Sequence, residues 1–103
     1  MMVLDSPYDC DDAEALERML ALSAYWDRKY GVRMNWEGST ATLDGRTKGV
    51  KYKGIVKVGA GRVYAEIDAG FLAEKLGGRK YVEKKVRQYL DPQKTVAELR
   101  SSE

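Results

Sequence analysis

The sequence predicts a two-layer α+β domain in which a four-stranded antiparallel meander is covered on one face by helices. Three observations predict this class. Apolar residues recur every three or four positions near both ends of the chain, as in helices that bury one side. Between these segments the apolar period changes to two, as in strands. Short glycine-containing links join the predicted strands, so the expected element order is α-β-β-β-β-α-α.

The first helix is predicted over residues 12–30. Five residues at helical spacing form its expected buried side: Ala15, Met19, Leu22, Trp26 and Tyr30. Asp11 or Asp12 is expected to cap its N-terminus, since carboxylates accept hydrogen bonds from the free backbone N–H groups there. Gly31 is expected to end the helix in the left-handed conformation.

Four strands are predicted near residues 32–37, 40–43, 50–58 and 62–68. The third strand shows the clearest alternation, with Tyr52, Val56 and Val58 facing the core and lysines facing solvent. This pattern is typical of an antiparallel strand with one exposed face. Turns are expected at Asp44-Gly45 and at Gly59-Ala60-Gly61, because these residues tolerate positive φ angles.

The C-terminal part of the chain is predicted to be helical. Residues 71–76 are expected to form a turn or two, and a longer amphipathic helix then follows. Its apolar side is formed by Tyr81, Val82, Val86, Tyr89 and Leu90. Asp91-Pro92 is expected to end this helix, with Asp91 capping a last short helix over residues 93–100. These helices are expected to pack on one face of the sheet.

A length of 103 residues fits one domain, residues 1–103, with residues 1–10 and 101–103 expected to be loosely ordered. Cys10 is the single cysteine, so the fold cannot depend on an internal disulfide. The N-terminus lacks a basic and apolar signal sequence, and no apolar run approaches the roughly 20 residues of a membrane span. The expected location is the cytoplasm.

The composition argues against catalysis. The chain contains no histidine, which removes the commonest general base and metal ligand. Cys10 lies among Asp9, Asp11 and Asp12, whose negative charge raises a thiol pKa and so disfavours a reactive thiolate. No catalytic, cofactor-binding or metal-binding residue is predicted. The chain is therefore expected to be a binding protein and not an enzyme.

Two sets of residues are candidates for binding. The first is a partner surface of basic residues and one tyrosine: Arg33, Lys51, Lys53, Lys57, Arg62, Tyr64, Lys80, Lys84 and Arg87. Its sheet portion suggests an alternative function, nucleic-acid binding by a basic sheet face. The second set consists of aromatic residues between the helices and the sheet: Trp26, Trp36, Tyr52 and Tyr89. If these residues enclosed a cavity, the chain would instead be a small-molecule or lipid pocket protein.

Several short segments resemble a known family. They are Tyr30-Gly31-Val32, Trp36-Glu37-Gly38, Gly45 and Gly49 before a strand, Gly70-Phe71-Leu72, and a basic closing helix. Over residues 9–92 this pattern resembles the polyhydroxyalkanoic acid system family of small bacterial proteins. The resemblance implies an α+β domain with a role at polyhydroxyalkanoate granules and no catalytic residue. The expected partner is a protein or the granule surface, and a homodimer is an open alternative.

Overall fold

The computed structural model describes residues 2–47, 49–69 and 78–101. The elements follow the order β1 (Met2–Pro7), α1 (Asp12–Tyr30), β2 (Met34–Glu37), β3 (Thr40–Thr47), β4 (Val50–Gly59), β5 (Arg62–Ala69), α2 (Arg79–Tyr89) and α3 (Val96–Ser101). The predicted α+β class is confirmed. The helical turn expected over residues 71–76 lies outside the described residues, as do residues 102–103.

The sheet contains five antiparallel strands in the order β1-β5-β4-β3-β2. The meander from β2 to β5 is confirmed, but the predicted number of four strands is wrong. Residues 2–7, expected to be loosely ordered, form an edge strand in which Leu4 pairs with Ala65 of β5. Leu4 and Ser6 are both buried, so β1 contributes to the core through one face.

The second predicted strand is too short. β3 continues through Asp44-Gly45 to Thr47, so the turn predicted at that pair is instead part of the strand. Gly45 lies opposite Tyr52 of β4, and a Cβ atom at Gly45 would come within 2.6 Å of the Tyr52 hydroxyl oxygen. The glycine therefore makes room for the tyrosine ring. The left-handed conformation that a turn requires is found at Gly49, with φ of +80°.

The hydrophobic core lies between one face of the sheet and the helices. The helix α1 contributes Ala15, Met19 and Leu22, as its periodicity predicts. The sheet contributes the inward rows of its central strands: Ala41, Leu43, Tyr52, Val56, Val58, Val63, Ala65 and Ile67. All of these residues are less than one-tenth exposed, so the two-layer arrangement is maintained by continuous burial of apolar surface.

The N-terminus of α1 differs from the predicted capping arrangement. Asp11 occupies the capping position but its side chain makes no capping hydrogen bond. The Asp12 carboxylate instead accepts hydrogen bonds from the Tyr8 hydroxyl at 2.5 Å and from the Gly61 backbone N–H at 3.3 Å. Asp12 therefore connects the start of α1 to the turn between β4 and β5. At the other end Gly31 has φ of 71°, which confirms the predicted left-handed stop.

The last helix is shorter than predicted. α3 begins at Val96 and not near residue 93. The Thr95 hydroxyl accepts the hydrogen bond from the Glu98 backbone N–H at 3.1 Å, so Thr95 caps the helix. Asp91, predicted to be the cap, accepts a hydrogen bond from the Gln93 N–H at 2.9 Å and shapes the preceding turn instead.

Candidate functional site

The predicted partner surface divides into two parts that lie on opposite sides of the molecule. Its sheet part lies on β4, β5 and the segment before β2: Arg33, Lys51, Lys53, Lys57, Arg62 and Tyr64. Its helix part, Lys80, Lys84 and Arg87, belongs to α2, which packs against the opposite face of the sheet through its apolar side. The structure therefore does not bring the nine residues together, and each part is a separate candidate.

The helix part forms a stripe along α2. Lys80, Lys84 and Arg87 are separated by four and three positions, which places them on one side of the helix. All three are exposed. Within the part of the chain that the structure describes, none of the three forms an ion pair, whereas the neighbouring Arg79 contacts Glu83 at 3.2 Å. We call these three residues the basic stripe. Glu83, the acidic residue of α2, pairs with Arg79 and forms no ion pair with the stripe.

The sheet part is interrupted by acidic side chains. Lys53 pairs in register with Asp44 of β3 on one side and with Asp68 of β5 on the other. Arg62 forms an ion pair with Asp5 of β1, its Nε atom lying 3.0 Å from the carboxylate. Cross-strand neighbours of opposite charge attract one another, so the charges of Lys53 and Arg62 are compensated. Lys51 lies opposite Arg46, and Lys57 lies opposite Thr40 and Tyr64, so their charges have no acidic cross-strand partner among the described residues. This arrangement is unlike the continuous basic groove of nucleic-acid-binding sheets.

Hydrogen bonding also affects the aromatic residue of the sheet part. The Tyr64 hydroxyl donates to the Glu66 carboxylate at 3.0 Å, and this bond raises the pKa of Tyr64. A tyrosine that stacks on a base requires an accessible ring in an electropositive setting. Tyr64 is instead half-buried beside two acidic residues, Glu66 and Asp5, its cross-strand partner.

The apolar side of α2 faces the core of the protein. Val82, Val86 and Tyr89 are 1%, 3% and 1% exposed. A helix that lies in a lipid or polymer surface inserts its apolar side into that surface. Because this side of α2 is already buried against α1 and the sheet, only its polar side is available to a partner.

The helix α2 is fixed to α1 at both ends. Near its N-terminus the Tyr81 hydroxyl lies 3.2 Å from the Tyr30 hydroxyl, and their rings meet edge to face at 6.3 Å. Burial and this hydroxyl contact raise the pKa of Tyr81 well above its usual value. The basic stripe is therefore presented on a helix whose position is defined by specific contacts.

At the other end, the buried Arg18 of α1 binds the chain that follows α2. Its guanidinium donates hydrogen bonds to the carbonyl oxygens of Tyr89, Asp91 and Lys94 at 2.9, 3.0 and 2.6 Å. Its Nε atom lies 3.4 Å from a Glu14 carboxylate oxygen, in an ion pair without hydrogen-bond geometry. Sequence reasoning did not identify Arg18. The available signal was a basic residue within the apolar stripe of α1, three positions after Ala15.

The four predicted pocket residues do not together enclose a ligand-sized space, although Tyr52 borders an open surface groove of about 440 Å³ with Gly45 and Lys53. Trp36 donates its indole N–H to the Ser23 hydroxyl at 3.3 Å, and the Tyr52 hydroxyl accepts a hydrogen bond from the Arg33 N–H at 3.0 Å. Trp26 borders a space of about 20 Å³ between the helices and the sheet, while Tyr89 is 1% exposed. Among residues 2–47, 49–69 and 78–101, this interior space is comparable to the volume needed for one water molecule.

A larger open cleft lies at the C-terminal end of α2. Its volume is about 520 Å³, and it separates the β1–α1 loop from α2 and the turn that follows. One wall is formed by Pro7, Tyr8, Asp9 and Cys10, and the other by Lys84, Arg87, Gln88, Leu90, Asp91 and Pro92. Burial, and then Glu14, raise the pKa of Cys10, which favours the neutral thiol. The cleft is large enough for a small ligand, and the raised pKa disfavours Cys10 as a nucleophile.

Two other kinds of site are absent from the described residues. No cluster of three or more cysteine, aspartate or glutamate side chains is arranged to hold a metal ion in that part of the chain. No described helix has the length and apolar character required to cross a membrane.

Comparison with known protein families gives a match over most of the chain. The model of the polyhydroxyalkanoic acid system protein family matches residues 3–93, which is most of the chain. No curated protein and no solved structure matches the sequence or the fold. The family match includes β1 from Val3 onward, α1, the whole meander and α2, so it covers both the basic stripe and the cleft.

Proposed function

Because the chain belongs to the polyhydroxyalkanoic acid system protein family, we propose that it is a non-enzymatic accessory protein that binds the surface of polyhydroxyalkanoate granules in the cytoplasm. The family association supports the granule as the partner. The physical form of the contact is inferred from the two faces of the molecule. We infer that the basic stripe on α2 makes this contact through charge.

The single observation that carries this proposal is the difference in charge compensation between the two faces. The basic stripe has no described ion-pair partner, whereas Arg62 and Lys53 on the sheet lie beside acidic residues. Uncompensated cations attract anionic surfaces at distances up to about a Debye length, roughly 10 Å at 0.1 M salt. A polyester of hydroxy acids has a free carboxylate at one end of each chain, and the proposal requires that such anionic groups lie at the granule surface.

Burial supports an electrostatic contact over an apolar one. Insertion into the granule would require an exposed apolar helix side, and the apolar side of α2 is buried. Among the large hydrophobic side chains of the described residues, Val3 and Leu20 are exposed, at 44% and 39%, and they lie on different elements. Scattered exposed residues of this kind do not form an insertion surface.

Sedimentation of the purified protein with washed native granules at low salt tests the proposal. The wild type should pellet with the granules. The variant Lys80→Glu/Lys84→Glu/Arg87→Glu should lose at least about 100-fold in affinity, because each Lys or Arg near an anionic surface contributes roughly 1 kcal/mol. These positions are exposed, so the variant should fold, which circular dichroism and thermal unfolding will verify.

The matched control reverses an equal number of charges on the sheet: Lys51→Glu/Lys53→Glu/Lys57→Glu. We expect this variant to bind granules within a few-fold of the wild type. If the sheet variant lost binding and the stripe variant retained it, the assignment to α2 would be wrong. The same result would point to the basic sheet face as the binding surface. The nucleic-acid alternative would then be tested by measuring binding to single-stranded RNA.

A further inference from the structure

We propose that the cleft at the C-terminal end of α2 binds a short hydroxy acid, with Lys84 and Arg87 holding its carboxylate and Asp9 accepting a hydrogen bond from its hydroxyl. This inference deepens the proposed function, on which its choice of ligand rests, by assigning a ligand class to the cleft, which shares Lys84 and Arg87 with the basic stripe.

The size and the lining of the cleft support this assignment. Its volume of about 520 Å³ exceeds what a small organic acid needs. Its floor is apolar, because Tyr8 and Leu90 are each 8% exposed and line it. The Tyr8 hydroxyl already donates to Asp12, so this donor is not available to a ligand. A short aliphatic chain would therefore bury its apolar surface there.

The charges of the two walls are arranged asymmetrically. Lys84 and Arg87 belong to the α2 wall and form no ion pair with a described residue. Asp9 belongs to the opposite wall, on the β1–α1 loop, and is exposed. A ligand that spans the cleft therefore meets cations on one side and a hydrogen-bond acceptor on the other. A carboxylate with a nearby hydroxyl satisfies both, whereas a simple fatty acid leaves Asp9 without a donor.

Asp91 is the second acidic residue of the lining, but it has a structural role. Its carboxylate accepts the Gln93 N–H at 2.9 Å, and its carbonyl oxygen accepts from Arg18. The same Arg18 contacts fix the turn that carries Leu90 and Pro92. The α2 wall of the cleft is therefore preorganised, which lowers the entropic cost of binding a small ligand.

Cys10 provides a direct readout because it lines the cleft and is the single cysteine of the chain. A ligand in the cleft should slow the reaction of its thiol with a maleimide. We would measure this rate with 3-hydroxybutyrate up to tens of millimolar, the range in which ligands of this size bind. Butyrate, which lacks the hydroxyl, and methyl 3-hydroxybutyrate, which lacks the charge, are the matched control ligands.

The expected result is saturable protection by 3-hydroxybutyrate, weaker protection by butyrate and none by the ester. Arg87→Ala should raise the concentration for half-protection about tenfold or more, since a charge-assisted hydrogen bond is lost. Lys80 lies on the same helix but outside the lining, so Lys80→Ala should leave the concentration for half-protection unchanged. Asp9→Asn should strengthen butyrate binding, because a repulsive carboxylate is removed.

Absence of protection, or equal protection of wild type and Arg87→Ala, would overturn the cleft assignment. Equal protection by the acid and its ester would also overturn it. Granule sedimentation of the same protein samples separates this outcome from failure of the proposed function. Protein that binds granules but shows no thiol protection refutes the cleft alone, whereas protection without granule binding refutes the proposed function.

Discussion

Arg18 connects α1 to the C-terminal part of the fold. Its guanidinium satisfies three carbonyl groups at the end of α2 and in the following turn. Arg18→Met retains the aliphatic length but removes the three hydrogen bonds that the guanidinium donates. We expect the free energy of unfolding in urea to fall by about 3 kcal/mol, since hydrogen bonds to charged groups contribute about 1.5–3 kcal/mol each and partial hydration offsets part of the loss.

Arg28→Met is the matched control for this prediction. Arg28 is exposed near the end of the same helix, and its replacement should change the free energy of unfolding by less than about 0.5 kcal/mol. Equal effects of the two substitutions would show that the carbonyl contacts of Arg18 do not stabilise the fold.

Gly54 is a second residue with a specific structural requirement. A Cβ atom there would lie 2.5 Å from the Glu66 carbonyl oxygen and 3.0 Å from the Ile67 Cα atom. Both are backbone atoms of β5, so the clash cannot be relieved by rotating a side chain. We expect Gly54→Ala to lower the free energy of unfolding by about 1–3 kcal/mol. Lys53→Ala, at the exposed neighbouring position, should change the free energy of unfolding far less. Similar losses in the two variants would show that the close approach of β5 to Gly54 is not the cause.

At the scale of elements, the contact of Tyr8 with Asp12 joins β1 to α1 and predicts a pH dependence. Burial, and then the Asp12 hydrogen bond, raise the pKa of Tyr8 to about 12. The Tyr8 hydrogen bond is the main cause of the lowered pKa of Asp12. The Asp12 contribution to stability is present above its unfolded pKa of about 4 and is lost as the pH falls. The Tyr8 contribution is present below about pH 10 and is lost toward pH 12.

Tyr8→Phe removes this hydrogen bond, and urea unfolding across pH measures its effect. The variant should be less stable than the wild type by about 1 kcal/mol near pH 7. The difference between the two proteins should narrow below about pH 4 and above about pH 10. A difference that stayed constant from pH 3 to pH 11 would show that the contact does not couple protonation to folding.

The elements with strong periodicity could be predicted from sequence. The helix α1 and the alternation of Tyr52, Val56 and Val58 in β4 follow from local apolar spacing, and the structure has both. β1 could not be predicted in this way, because it is short and pairs with β5 from the distant middle of the chain. The extension of β3 through Gly45 also depends on a contact between strands, because the glycine leaves room for the Tyr52 ring of β4. Local apolar spacing does not show that contact.

At the scale of the whole molecule, the sequence identified the basic residues but not their surroundings. Lys80, Lys84 and Arg87 could be placed on one side of a helix from their spacing alone. The compensation of Lys53 by Asp44 and Asp68 depends on strand register, which a single sequence does not reveal. The cleft was also inaccessible to sequence reasoning, because its walls come from opposite ends of the chain.

The exposed side of α2 and the exposed side of the sheet differ in charge, and the central claim rests on this difference. It is a charge-driven contact between the basic stripe and an anionic granule surface. An apolar contact would strengthen or stay constant as salt increases, whereas screening weakens a contact between exposed charges. Salt dependence therefore distinguishes the two kinds of binding without any substitution.

The most direct measurement is the fraction of wild-type protein that sediments with washed native granules as NaCl is raised from about 20 mM to about 500 mM, where the Debye length shortens to roughly 4 Å. We predict strong binding at low salt that is largely lost at the highest concentration. Protein that remains in solution at low salt, or that stays on the granules undiminished at high salt, would contradict this account.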